Sequence, residues 1–265
     1  MRYLRSFACL LGFFFGITAN AQTFEIGLMG GGAGYIGDLN QTKPLKISGM
    51  SAGAFAKLNL DAYWGVGLHY TYGKIRANDA VSENEDFRNR NINFKTALNE
   101  VSLQVDFNFL NYFAGGGTKK FTPYIFTGIG GVFYKPKAIY NDTEYNLRYY
   151  QTEGQTEAYR NYTMTIPYGV GIKLQLKDNW GLFSQIGYRT AYSDYLDDVS
   201  GVYPAASAWP NDDALALRQQ LSNPSLVPNY GAPGTQRGDF RKRDTYMFVG
   251  IGISYTFVSQ KCYTF

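Results

Sequence analysis

From Gln22 onward the chain is dominated by apolar positions that alternate with small or polar ones. The pattern is clearest between 97 and 110. There Val101, Leu103, Val105, Phe107 and Phe109 share one face, while Glu100, Ser102, Gln104, Asp106 and Asn108 share the other. Successive side chains of a strand point to opposite faces, so such a run predicts a strand with one apolar and one polar side. The stretch 162–177 repeats it, with Met164, Ile166, Tyr168, Val170, Ile172, Leu174 and Leu176 set against Thr163, Thr165, Gly169, Gly171, Lys173, Gln175 and Lys177. Eight strands are predicted in all, at 23–35, 47–60, 63–76, 97–110, 121–134, 162–177, 180–192 and 245–258; glycines leave the register of the first and fifth open. Each is long enough to cross hydrocarbon as a tilted strand of ~9–11 residues.

Two architectures accommodate this alternation: a soluble sandwich or lipocalin-like barrel with its apolar face inward, or a membrane barrel with that face outward. The polar faces are rich in glycine and small residues rather than solvating charges, which suits a narrow lumen. Aromatic residues gather at the strand ends (Tyr63, Trp64, Phe107, Phe109, Tyr112, Trp180, Tyr188, Tyr192), in the manner of interfacial girdles. The connections also alternate in length. Asp61-Ala62, Asn111–Lys120 and Asp178-Asn179 are short, whereas the others span about 11, 20, 27 and 52 residues. The expected fold is therefore all-β: an eight-stranded antiparallel transmembrane outer-membrane β-barrel with long outer loops and short periplasmic turns. Eight strands enclose a space that side chains fill. Lys57, His69, Glu100, Asp106, Lys173, Lys177 and Arg189 are expected inside as a mutually paired plug, so a transport channel is not expected.

Residues 1–21 read as a signal peptide: Arg2 and Arg5 precede an apolar run, Cys9 to Ile17, which ends in Ala19-Asn20-Ala21. The run is too short to span ~30 Å of hydrocarbon. Residues 22–265 then form a single barrel domain with one long loop, 193–244. Loss of Arg2 and Arg5 takes the formal charge from +4 to +2, which implies no nucleic-acid partner. It also leaves Cys262 without a second cysteine to pair with in the chain.

Candidate chemistry is sparse. The single histidine, His69, lies in GVGLHYTYG with the parity of Gly65, Gly67 and Thr71, so it faces the lumen, where a base cannot readily reach a lipid substrate. There is no GxSxG and no metal-ligand spacing. Neither an enzymatic role nor a cofactor is expected, and a lipid-modifying enzyme is the sharper alternative. Asp194, Asp197 and Asp198 offer oxygen ligands of the kind Ca²⁺ takes, but at a spacing unlike an EF-hand loop, so a loop-ordering role is expected and no metal site. Arg237-Gly238-Asp239 spells an adhesive tripeptide, yet it adjoins Arg241, Lys242, Arg243 and Asp244 and reads rather as the charged approach to the last strand. Asp212–Leu221 reads as a short helix, with acids first and Arg218 late.

Four segments together resemble the PorG-like outer-membrane barrels of the type IX secretion apparatus of Bacteroidetes. They are GGGAGYIGDLN at Gly30–Asn40 (Tyr35, Gly37, Asp38), TAYSDYLDDVSGVYP at Thr190–Pro204 (Asp194, Tyr195, Asp197, Asp198), the stretch from Arg237-Gly238-Asp239 to Phe257, and the end KCYTF with Cys262 and Phe265. Tyr263 stands where that group is expected to carry proline. The resemblance implies a non-enzymatic role: anchoring or positioning the periplasmic ring of the lipoprotein PorK and its partner PorN. Outer-membrane lipid and the barrel assembly machinery are the other implied partners. Periplasmic partners would meet the short turns, chiefly Lys119 and Lys120, and the tail Ser259–Phe265, whose terminal aromatic residue also serves as an assembly signal. A surface-binding role through the long loop, as adhesin or receptor, is the alternative.

Overall fold

The computed structural model describes residues 23–258 apart from Phe113 and Gly117. Residues 1–22, which include the expected signal peptide, and the tail bearing Cys262 and Phe265 lie outside the described residues. Eight long strands form the wall: β1 (Thr23–Ile36), β2 (Ile47–Asn59), β3 (Trp64–Asn78), β4 (Asn93–Asn108), β5 (Phe121–Tyr140), β7 (Tyr162–Lys177), β8 (Trp180–Ala191) and β9 (Thr245–Phe257). A short strand, β6 (Thr143–Asn146), folds back on the end of β5. Each wall strand pairs antiparallel with the next, and β9 pairs with β1 from Phe24↔Phe257 to Ile36↔Thr245, which closes an eight-stranded barrel. Closure leaves the wall no unpaired edge.

The alternation read from the sequence sets which side faces out. Leu28, Leu68, Leu103, Ile129, Val170, Ile172, Ile251 and Ile253 stand exposed on the wall, while Glu100, Gln104, Asp106, Lys173 and Arg189 are buried inside. An apolar exterior around a polar interior is the inverse of a soluble barrel and matches a lipid-spanning one. Aromatic pairs ring the short-turn end: Trp64 against Phe107 (ring centroids 4.8 Å apart), Trp180 against Tyr255 (5.1 Å) and Phe24 against Phe257 (5.7 Å). Among the described residues no helix is long and apolar enough to cross a membrane.

Several expectations needed correction. β4 begins four residues before the predicted start and β5 continues to Tyr140, because both climb past the belt to pair with each other and with β6. Lys177 is exposed rather than inside: the ladder to β8 shifts register between Gln175 and Lys177, turning that side chain out at the rim. Tyr112 does not join the girdle; it is buried across the short-turn mouth, where Asn108 donates to its carbonyl. The loop helix spans Leu215–Ser222, later than predicted, since Asp212 acts ahead of it by accepting from Ala214 N (3.0 Å) and pairing with Arg218 (3.3 Å).

Inside, the lumen is filled in layers. Nearest the short turns, Asp106 takes Lys57 (3.0 Å) and Lys173 (2.9 Å), while Lys57 also meets Glu25 (3.2 Å). Two ammonium groups and two carboxylates make this layer neutral. Above it Phe55 stacks on His69 (5.1 Å) and meets Phe183 edge-on (5.5 Å). Next, Glu100 takes Arg189 (3.3 Å) and the Tyr246 hydroxyl (2.6 Å). An apolar layer closes the long-loop mouth, formed by Ala33, Ile75, Phe94, Leu98, Val132 and Phe248 with Leu196 pressed in from the long loop.

Candidate functional site

The loops beyond the apolar layer do not spread into solvent; they pack into a cap held by two buried arginines. Arg90 grips Asp79 through two nitrogens (2.6 and 3.1 Å) and donates to the carbonyls of Asp38 and Arg237 (3.1 and 2.9 Å). Arg237 donates to Glu153 (2.9 Å) and to the carbonyls of Asp198 (2.6 Å) and Ser222 (3.1 Å). These donors tie the loops after β1, β3, β6 and β8 into one body. A planar five-donor guanidinium serves such a junction where a single ammonium would not. Arg237 is only 2% exposed, so the Arg-Gly-Asp tripeptide faces inward as a structural pin and not outward as an adhesive sequence.

The motif residues of three distant segments meet at the base of this cap. The Tyr35 hydroxyl donates to Asp197, and the Asp239 amide donates to Asp38. Thr152 and Tyr159 donate to Asp198, the latter at 2.6 Å. Tyr195 stacks on Tyr159 with centroids 4.5 Å apart. Gly37 and Gly238 lie where a side chain would strike neighbours: a Cβ on Gly238 would be 2.8 Å from the Ser200 carbonyl and 2.9 Å from Asp38 Oδ1. Asp244 completes the group, accepting from Leu196 N at 3.0 Å. The sequence reading did not mark Asp244, Glu153, Arg90 or Asp79 as site residues; a lone acid or base in an irregular loop carries no periodic signal. Lys119 and Lys120 lie exposed at the opposite end of the barrel, and nothing joins them to this cluster.

Asp38, Asp194 and Asp244 bring one carboxylate oxygen each to within 4.8 Å of one another, with Asp197 and Asp239 beside them. Burial, reinforced by the neighbouring carboxylates, pushes Asp38 up to about 7, and burial lifts Asp194 to about 6. Burial among the same acids holds Asp197 and Asp244 well above the usual carboxylate range. Asp38 Oδ2 and Asp194 Oδ1 are buried atoms without hydrogen-bond partners. His69, by contrast, sits deep in the lumen, stacked on Phe55 and opposite Ser102 in the ladder, with Nε2 unpartnered among the described residues.

No curated protein sequence matches the chain. Among solved structures it is similar to the N-terminal β-barrel domain of Pseudomonas aeruginosa OprF (14% identity, 89% of this chain and 97% of that one, TM-score 0.38). It is similar also to a major outer-membrane protein of Thermus thermophilus (12%, 89% and 100%, TM-score 0.43) and to Neisserial surface protein A (9%, 88% and 97%, TM-score 0.41). At these identities and scores the likenesses say nothing of function. The barrel described above rests on its own closed ladder, apolar exterior and paired interior. A family model matches residues 4–213, and the chain is a member of that family, the domain of unknown function DUF6089.

Proposed function

We propose that this chain is a non-enzymatic, non-conducting outer-membrane barrel of the PorG type, a component of the type IX protein secretion apparatus. The carrying observation is that the barrel is closed throughout. A neutral ion-paired layer, an aromatic layer, a second ion pair and an apolar layer fill the lumen, and a pinned cap covers one mouth. Charges desolvated and paired in this way are costly to separate, so no solute path opens without breaking several of them. A barrel without a lumen acts through its ends and outer wall.

The sequence resemblance supplies the assignment to secretion, and the short-turn end supplies the surface for it. Lys119 and Lys120 stand exposed there, at the end of the barrel where β9 also finishes. Anchoring a periplasmic ring of the PorK and PorN kind is the role that fits these features. The test is a clean deletion strain together with pull-down of the tagged mature protein from detergent-solubilised envelopes and mass spectrometry. Loss of type IX cargo export and recovery of ring subunits support the reading; normal export in the deletion strain rejects it.

A surface-binding role is the second reading, favoured by the apolar side chains exposed on the cap, Leu226 (87% exposed) and Phe240 (59%) among them. Leu226→Ser with Phe240→Ser should abolish function under that reading while leaving both folding and cargo export unchanged. Trimming the whole loop is a poorer test, since it would also uncover the apolar layer beneath Leu196.

A further inference from the structure

Nearly every buried charge in the barrel has a partner of opposite sign. The lower plug is neutral, Glu100 has Arg189, Asp79 has Arg90, and Glu153 with Asp198 has Arg237. The cluster at the base of the cap breaks this rule. Asp239 is paired with Arg241 (3.0 Å), but among the described residues no Lys or Arg nitrogen lies within ion-pair distance of the carboxylates of Asp38, Asp194, Asp197 or Asp244. Arg90, which acts on Asp38, spends its charge on Asp79 and reaches only the backbone carbonyl of Asp38, and Arg241, which acts on Asp194, is paired with Asp239.

Asp38 makes the deficit specific. Its residue is 1% exposed; one carboxylate oxygen accepts the Asp239 amide and the other has no partner at all. A buried carboxylate oxygen left without a partner carries the full cost of its lost hydration, so something is expected to occupy it. The three oxygens offered by Asp38, Asp194 and Asp244 lie within 4.8 Å of one another, close enough to share one cation. Ca²⁺ accepts several carboxylates in a flexible shell, whereas Mg²⁺ demands a near-ideal octahedron and keeps several waters, so three carboxylates from irregular segments suit Ca²⁺.

We infer that Asp38, Asp194 and Asp244 bind a Ca²⁺ ion that clasps the cap to the barrel mouth. The three ligands come from the β1–β2 loop, the start of the long loop and the residue preceding β9. One ion therefore links the ends of three neighbouring strands, β1, β9 and β8, just beyond the point where their ladder stops. Calcium sites in extracellular modules bind with Kd of about 10⁻⁴–10⁻³ M, and this site is expected in or somewhat below that range. The inference does not depend on a role in secretion.

The experiment uses the mature protein folded in detergent micelles, freed of metal by chelator and held at one pH. CaCl₂ and MgCl₂ are titrated in by calorimetry, and loop 193–244 is probed with proteinase K. One Ca²⁺ per barrel, at least about tenfold tighter than Mg²⁺, with slower loop cleavage, is the expected result. Asp244→Asn and Asp38→Asn should each weaken Ca²⁺ binding at least about tenfold, while the heat-modifiable gel mobility of the folded barrel is retained. Should either variant fail to fold, Asp194→Asn takes its place, because Asp194 is only partly buried. No saturable Ca²⁺ binding by the folded parent, or Ca²⁺ binding unchanged in the folded variants, would overturn the assignment and leave the cluster as carboxylic acids sharing protons.

Discussion

Arg237→Ala tests the cap directly. The guanidinium carries an ion pair to Glu153 at 2.9 Å, a longer one to Asp198 at 3.8 Å, and two bonds to main-chain carbonyls, all in a setting where Arg237 is 2% exposed. Truncation would strand the Glu153 and Asp198 carboxylates, whose side chains are 6% and 0% exposed, with no counter-ion. Breaking a buried pair by removing one member costs about 3–5 kcal/mol. That loss falls on the cap and not on the ladder, because Arg237 belongs to no strand of the wall. At 1.4 kcal/mol per tenfold, the opened fraction of the cap should rise by about a hundredfold to about four thousandfold. Cleavage of loop 193–244 by proteinase K follows the opened fraction when reclosing is fast, so its rate should rise in proportion. The folded-barrel mobility on a gel should stay that of the parent. Arg237→Lys should fall between, since one ammonium cannot reach the Glu153 carboxylate and both carbonyls together. A cleavage rate for Arg237→Ala within about threefold of the parent would refute the pinned cap and reopen the tripeptide as a surface feature.

Three further outcomes follow from the lumen. Asp106→Leu leaves two buried ammonium groups with Glu25 alone and should cost about 3–5 kcal/mol by urea unfolding in micelles; adding Lys173→Met restores neutrality and should recover most of it, whereas additive losses would contradict the pairing. Gly187→Ala would place a Cβ 2.5 Å from the Phe126 ring and should cost about 1–3 kcal/mol in the same assay, relieved by Phe126→Leu; a neutral Gly187→Ala would show that the ring is not wedged there. His69→Leu removes an unpartnered buried nitrogen and should change stability by less than about 1 kcal/mol, with the lipid profile of the strain unaltered; a changed lipid profile would revive the enzymatic reading.

The wall was legible because the two-residue side-chain period of a strand is fixed by backbone geometry and does not depend on neighbours. Once Val101, Leu103 and Val105 were placed outward, Glu100 and Asp106 had to be inward, and their cations on β2, β7 and β8 followed by the same parity. Lys177 was misplaced because parity counts residues and cannot see a register shift at a strand end. Glu25 was missed because β1 is glycine-rich and its alternation is faint, although it completes the neutral layer. The cap was illegible for a different reason. Its contacts join positions separated by 147 residues, as in Arg90 to Arg237, or by 162, as in Tyr35 to Asp197, and irregular loops have no period from which to infer them.

The glycines show how a correct inference can rest on an incomplete cause. Their abundance on the inward face indicated a narrow lumen, as though small residues were there to save space. Their role in the structure is more specific, since they face aromatic rings that enter from adjacent strands. A Cβ on Gly169 would lie 2.7 Å from the Phe126 ring, and one on Gly171 would lie 2.5 Å from the Tyr124 ring, so each ring occupies the volume that a side chain would need. The lumen is narrow because it is filled by Phe55, Tyr124, Phe126, Phe183 and Phe248, and the glycines are what let those rings lie flat against the wall. Close packing of this kind resists opening, since moving one ring exposes apolar surface and displaces its neighbours. The same filling that excludes a pore therefore makes the barrel a stiff post between its cap and its short turns, which is the mechanical property that an anchoring role requires.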